Sequence, residues 1–334
     1  MSSNGVNLVL HLLWGQEVLH QKLLRELFEE TDLAVALGLW NESERPSVRC
    51  EPVEQLFDLG LLSPGKTSTY IELKVRGTLS AKQEDEQREF AKKKQAPRAY
   101  ILLGPSYFCW RSQFSKNKHP ATVVGPEQLA QALREELANI ADEALKTVAT
   151  TYLHRLESLI RGYQQPHPRN KADEWRESDL RVYRFLDELG SHWPSAASVY
   201  PMHRRDGKAR ILNPRPERDR QRILVSQTPA IIYWEIVEDV VRFKVNVADE
   251  YKARRQAVRR DCRAALLEAA EQLKLVLSPI NGKTGKSTSL AQLQGNVRAA
   301  VLDDDGKVDA MQARQLFARC ERLLKEMVKR LSAS

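Results

Sequence analysis

The stretch from Phe57 to Phe90, FDLGLLSPGKTSTYIELKVRGTLSAKQEDEQREF, constrains the fold more than any other part of the chain. Phe57–Leu62 and Thr69–Val75 are rich in β-branched, aromatic and aliphatic residues, and Ser63-Pro64-Gly65-Lys66 between them is a turn signal. Successive side chains on a strand point to opposite faces. One face therefore carries Phe57, Leu59 and Leu61 with Ile71, Leu73 and Val75, and the other carries Asp58 and Gly60 with Tyr70, Glu72 and Lys74. A three-residue loop centred on Gly65 pairs residues whose numbers sum to 130, which sets Asp58 opposite Glu72. A two-residue Pro-Gly turn sets Asp58 opposite Ile71 and mismatches the faces. Because a one-residue slip moves charges into the apolar layer, the pattern selects the first register.

Two carboxylates at cross-strand distance repel unless a cation lies between them. Hard oxygen donors with open positions suit Mg2+, which keeps several of its waters. A lysine beside such an ion can orient or activate a water, or stabilise charge building on a phosphate. The plainer alternative is an exposed hairpin face with an ordinary Glu–Lys pair. An aspartate set to face Glu72, an apolar opposite face and a helical segment at Ala81–Lys94 together favour a site.

Asp58 followed after a hairpin by Glu72-Leu73-Lys74 resembles the core motif of the PD-(D/E)XK phosphodiesterase superfamily, the restriction-endonuclease-like nucleases. The proline that precedes the aspartate in that family is replaced by Phe57, and the helix carrying Gln83 and Gln87 resembles the glutamine-bearing helix of many members. The resemblance covers roughly residues 8–110. It implies an α/β fold, a restriction-endonuclease-like mixed sheet flanked by helices. It also implies a Mg2+-dependent phosphodiesterase, with Mn2+ as a substitute ion, that cleaves nucleic acid, DNA before RNA and as an endonuclease. Asp58 and Glu72 would hold the metal, with the Leu73 carbonyl as a third ligand. Lys74 would position or activate the water, and Glu17 and Gln83 would support the site. The family's additional glutamate on the helix before the hairpin has four candidates here, Glu17, Glu26, Glu29 and Glu30. Glu17 is preferred, with Glu26 next.

Elsewhere the chain excludes more than it names. There is no run of eighteen apolar residues, so no membrane span is expected. The first residues lack a basic segment and a small-residue cleavage site, so no secretory signal is read. Cys50, Cys109, Cys262 and Cys320 show no paired spacing, which fits a reducing, cytoplasmic setting and argues against disulfides or a zinc cluster. Seven histidines show no metal-ligand spacing. Asn281–Ser287 lacks the first glycine of a phosphate-binding loop, since Ile280 stands there. In Leu302–Asp309 the calcium-loop end positions fall on Val301 and Gln312, so no EF-hand is read.

A nuclease core is expected over residues 1–125, with a mainly helical, basic region over 126–334 that extends it or packs on it. Val6–Leu13 is apolar, Gly15–Thr31 has helical spacing, and Val48–Leu56 and Arg98–Leu103 read as strands. Tyr107, Phe108 and Trp110 read as core packing, with base stacking as the alternative. Pro126–Ile160 reads as one long helical stretch, and Tyr163–Asp173 as a linker. Two hairpins are expected in the second half, one at Asp206-Gly207 and one at Glu238-Asp239, with Arg242, Lys244 and Asn246 on the polar face of the latter. Long helices close the chain.

The net charge of +8 permits an anionic partner. From His203 to Arg222 there are eight Lys/Arg against three Asp/Glu, and from Arg242 to Arg263 again eight against three. Arg204, Arg205, Lys208 and Arg210, with Arg254, Arg255 and Arg259, are therefore the expected phosphate-backbone contacts. The rival readings are a non-catalytic nucleic-acid-binding or adaptor protein on the same fold, and an interaction module in a homo-oligomer or with a partner protein. Metal-dependent cleavage separates the first from the main reading, and mass in solution tests the second.

Overall fold

The computed structural model describes residues 17–333 except 54–55, 64–65, 76–78, 80, 114–120, 168–179, 194–197, 205–206, 214–220, 238 and 282–284. Val6–Leu13 and Arg205 therefore lie outside the described residues. The chain divides between Gln165 and Pro166 into two compact units.

The first unit contains α1 (Glu17–Glu30), α2 (Leu33–Ala36), β1 (Ser47–Val53), β2 (Phe57–Ser63), β3 (Lys66–Lys74) and α3 (Ala81–Lys94). It continues with β4 (Arg98–Leu102), α4 (Pro105–Gln113), β5 (Thr122–Val124), α5 (Pro126–Glu136) and α6 (Glu143–Gln164). Its sheet is mixed, in the order β1-β2-β3-β4-β5. The first three strands are antiparallel, and β4 and β5 run parallel to β3 across the crossovers through α3 and α4.

The hairpin reaches the expected register by an unexpected route. Leu59↔Ile71, Gly60↔Tyr70 and Leu61↔Thr69 sum to 130, whereas Leu62↔Thr67 and Ser63↔Lys66 sum to 129. Only two residues separate Ser63 from Lys66, so the connection is the tighter one. A bulge adds one residue to β3 between Thr67 and Thr69 and restores the match of faces beyond it.

Below the bulge, Leu59, Leu61, Ile71, Leu73, Val75, Ala99 and Ile101 form one buried layer against Leu24, Leu27 and Phe28 of α1. Leu129 and Leu133 of α5 and Tyr152, Leu153 and Leu156 of α6 close the same layer. That packing is why α5 and α6 fall in the first unit, and why the division comes later than residue 125. The expected single helix over Pro126–Ile160 is two. It tightens into a 3-10 turn at Leu137–Asn139 and restarts where Asp142 accepts the Leu145 N–H at 2.7 Å. Phe57 leaves the apolar layer expected for it and packs with Tyr70 and Phe90. The ladder between β2 and β3 stops at Leu59, so strand alternation no longer dictates where Phe57 points. In α1 the apolar stripe runs through Leu23, Leu24, Leu27 and Phe28, while Val18 is 49% exposed and His20 and Gln21 are buried instead.

The second unit contains α7 (Leu180–Ser191), β6 (Ser198–Arg204), β7 (Gly207–Asn213), β8 (Gln221–Val225), β9 (Thr228–Val237), β10 (Val240–Val247) and α8 (Arg255–Gln272). It ends with β11 (Leu277–Pro279), β12 (Ser287–Leu293), α9 (Val297–Val301) and α10 (Ala310–Ala333). The two expected hairpins are present, with Arg204 paired to Gly207 and Val237 to Val240. They belong to a larger antiparallel sheet of seven strands, ordered β11-β12-β10-β9-β7-β6 with β8 also on β9. Trp234, Phe243 and Phe317 are fully buried, and Trp193 stands edge-on to both Trp234 and Phe317. The polar face expected for β10 is not solvated at Lys244, which is 6% exposed and lies 3.0 Å from Glu235 Oε1 across the β9–β10 pair.

Leu59 is fully buried in the layer that backs the hairpin. Leu59→Ala should cost about 2–5 kcal/mol through lost contacts and the cavity left behind. The measurement is a urea titration, in which the midpoint falls while the slope is retained.

Candidate functional site

The face of the first sheet opposite the apolar layer carries buried charge. Tyr70, Glu72 and Lys74 project from β3, beside Arg98 and Tyr100 of β4, with Glu72 paired to Tyr100 and Tyr70 to Arg98. Helix α3 lies over this face. Asp58 and Glu72 are 5% and 2% exposed, so neither carboxylate is a surface group.

Asp58 ends the β2–β3 ladder with its side chain. Its Oδ2 accepts the Leu73 N–H at 2.7 Å, two residues past Ile71 in the last backbone pair, Leu59↔Ile71. Glu72 is held from three directions. Lys74 Nζ lies 2.6 Å from Oε1, Gln83 Nε2 donates to Oε1 at 2.7 Å, and Gln87 Nε2 donates to Oε2 at 2.8 Å. The same Gln87 amide also donates to the Leu56 carbonyl at 2.6 Å, which ties α3 to the strand that brings in Asp58. Gln83 and Gln87 are one helical turn apart, so both amides reach a single carboxylate. Glu17 approaches from α1: its Oε1 accepts the Val75 N–H at 3.1 Å and its Oε2 lies 3.7 Å from Lys74 Nζ.

The sequence-derived residues Asp58, Glu72, Leu73, Lys74, Glu17 and Gln83 thus lie together. Of the competing acids on α1, Glu26 and Glu30 are exposed, and Glu29 accepts the Val48 N–H at 2.8 Å. Gln87 is the residue the sequence reading left out of its site. Its signal was present, since it follows Gln83 by four on the same helix. A second group was missed. Glu84, 1% exposed, lies 2.8 Å from Arg98 and 2.9 Å from Arg88, and Arg98 donates to the Tyr100 hydroxyl at 2.6 Å. Its signal was a charged residue opening an otherwise apolar strand.

The electrostatics follow from this geometry. Burial raises the pKa of Glu72, while Lys74 and the two glutamines pull it back down. For Lys74, burial works against the ammonium, but Glu72, Glu17 and Asp58 outweigh it and the pKa rises. Three carboxylates therefore face one lysine that stays charged. Burial also raises the Tyr100 pKa, so that phenol is a neutral hydrogen-bonding group.

These donors fit a hard divalent ion. Asp58 and Glu72 present carboxylate oxygens from adjacent strands, and the excess of carboxylate over ammonium around Lys74 is what a divalent cation would offset. Among the described residues no group of three or more His, Cys, Asp or Glu side chains is placed to hold a metal ion.

The expected phosphate contacts are in the second unit and differ among themselves. Arg254 is exposed at the end of a 3-10 turn. Arg255 is 8% exposed and donates to the Val247 carbonyl and to Asp249. Arg259 donates to the Ile280 carbonyl at 2.7 Å, and burial together with Arg263 lowers its pKa. Arg263 also donates to Ile280 and to Asn281. Arg204, Lys208 and Arg210 lie on β6 and β7, where their side chains are outside the described residues. No family model matches this chain, and comparison with curated proteins and with solved structures gives no match either.

Because the folded state raises the Glu72 pKa above the unfolded 4.5, it binds that proton more tightly than the unfolded chain does. The contribution to stability is full below 4.5 and is lost as pH rises through the folded value. Glu72→Gln should flatten that part of the pH–stability curve, read as urea midpoints from acid to neutral pH.

Proposed function

We propose that this chain is a divalent-metal-dependent phosphodiesterase of the restriction-endonuclease-like kind, acting on nucleic acid and on DNA first, as an endonuclease. One observation carries the reading: Lys74 faces Glu72, Glu17 and Asp58 together, on a buried sheet face backed by an apolar core and covered by a glutamine-bearing helix. The order of the mixed sheet is consistent with such a fold.

Asp58 and Glu72 would hold Mg2+, with Mn2+ as a substitute and the Leu73 carbonyl as a further donor. When bound, the ion supplies charge neutralisation at the scissile phosphate and a more acidic water. Lys74 is held charged by its three carboxylate neighbours, so it serves as a donor that orients the attacking water and stabilises charge on the phosphate oxygens, and not as the base that removes a proton. Gln83 and Gln87 fix the Glu72 carboxylate in one orientation. Glu17 joins Lys74 to the backbone N–H that follows it, which steadies the ammonium at the end of β3.

A second reading has its own observation. Both Glu72 oxygens are already engaged by Lys74, Gln83 and Gln87, an arrangement that a non-catalytic nucleic-acid-binding or adaptor protein would also keep. Supercoiled plasmid, linear duplex, single-stranded DNA and RNA, each with Mg2+, Mn2+ or chelator, separate the two. Metal-dependent cleavage is expected for the wild type, with Asp58→Ala, Glu72→Ala and Lys74→Ala each reducing it by about 100-fold or more while the far-ultraviolet spectrum is kept. Lys74→Ala cutting as fast as wild type would sink the assignment. Cleavage absent under every condition, with DNA binding retained, would favour the adaptor.

A readout independent of turnover is thermal stability. Mg2+ or Mn2+ at about 100 times its dissociation constant should stabilise the wild type by about 2.7 kcal/mol through mass action. The resulting rise in melting temperature should disappear with chelator and in Asp58→Asn.

A further inference from the structure

The far end of α3 carries a feature that the metal site does not use. Arg88, Lys92 and Arg98 line a cavity of about 240 Å3, together with Gln95 and the Ala91 and Pro97 side chains, and no carboxylate lines it. At about 30 Å3 for each water in the liquid, it has room for one phosphate group with part of its hydration shell.

Three properties set this pocket apart from an ordinary basic surface. Two of its cations are fixed in place by partners behind the cavity wall: Arg98 lies 2.8 Å from buried Glu84 and donates to the Tyr100 hydroxyl, and Arg88 lies 2.9 Å from Glu84, 2.7 Å from Asp85 and 3.6 Å from Glu89. The third, Lys92, is exposed and has no carboxylate partner among the described residues. Finally, Gln95 follows the helix at φ +52°, in the left-handed region where glycine is the usual residue, so the chain places a side-chain amide at the rim where a bare backbone would be less strained.

The pocket also lies on the helix that reads the metal site. Lys92 is five residues past Gln87 and nine past Gln83, hence about 7 to 14 Å along the axis. With one phosphate of a strand per about 3.4 Å of duplex axis, that is about two to four phosphates away.

We propose that this pocket holds a backbone phosphate of the nucleic-acid strand that crosses the Asp58–Glu72 site, an assignment that rests on the nuclease reading above. Arg88 and Arg98 form its fixed wall, and Lys92 closes on the phosphate from solvent. The contact carries no base information and sets register, as phosphate contacts do.

The test measures duplex binding by fluorescence anisotropy in chelator, over a range of salt, for wild type, Lys92→Ala, Lys92→Arg and Lys82→Ala. Lys82 is an exposed lysine on the same helix, 3.6 Å from Glu86 and outside the pocket. Lys92→Ala should bind several-fold more weakly and reduce the slope of log affinity against log salt by about one. Lys92→Arg and Lys82→Ala should keep the wild-type slope, and all four should melt alike. A Lys92→Ala slope equal to wild type, or no duplex binding by wild type, overturns the proposal. If Lys92→Ala instead loses only a stabilisation by inorganic phosphate and keeps the duplex slope, the pocket takes free anions and the strand assignment is overturned. Wild type that binds with the Lys92 effect but never cuts with metal refutes the nuclease reading and leaves the pocket standing; cleavage without a slope difference does the reverse.

Discussion

The buried charge of Glu72 is the constraint on which the first unit depends. Removing a carboxylate from water costs several kcal/mol even after relaxation. Burying one leucine side chain returns about 1.5–3 kcal/mol. The site is therefore destabilising unless the carboxylate is fully met, and it is met by one ammonium from its own strand and two amides from α3. The two amide contacts fix the position of α3 on the sheet. The Gln87 bond to Leu56 then fixes the strand that carries Asp58. The apolar layer behind the hairpin supplies the stability that the polar face lacks, which is why one strand pair has to be so different on its two sides.

Much of this was legible in the sequence because strand alternation has a period of two and tolerates no slip. Glu72 and Lys74 share a face for that reason, and Asp58, just past the end of the ladder, is held by the Leu73 N–H. The turn was less legible. Two routes lead to the same pairing at the site, a longer loop or a tighter turn with a bulge, and the residues between Leu61 and Thr69 do not distinguish them. The residue pattern fixes the match of faces at the site, and the backbone finds a local path that satisfies it. Phe57 shows the limit: where the ladder gives way to the Asp58 side chain, alternation stops predicting direction.

The second unit was less legible for a different reason. β11 is three residues long and contains Pro279, and β12 reads STSLAQL after a Gly- and Lys-rich stretch, so neither has the branched or aromatic run that marks a strand. Tertiary pairing with β10 makes the strand where local propensity does not. A count of arginines does not say what their guanidinium groups face. Arg255, Arg259 and Arg263 stand at helical spacing on α8, which looks like a basic face, yet each donates to backbone carbonyls of the neighbouring strands and loop. A guanidinium that satisfies buried carbonyls is held by them, and moving it to a phosphate would leave those acceptors unpaired at about 1–3 kcal/mol each.

The same test separates the arginines of α8 from the basic group at the end of α3. In α8, Arg255, Arg259 and Arg263 point inward to backbone oxygen, whereas Arg88 of α3 and Arg98 of β4 are held by the Glu84 carboxylate and stand in the wall of a cavity that Lys92 also lines. Arg88 also meets Asp85 and Glu89, and Arg98 donates to the Tyr100 hydroxyl, so both guanidinium groups are held in a fixed orientation. A phosphate arriving beside such a pair meets donors already ordered, so less side-chain entropy is lost on binding than with free surface lysines. What makes a basic segment a recognition surface is therefore the partner its cations already have, more than their number, and by that measure the cavity at the end of α3 outranks the inward-facing arginines of α8.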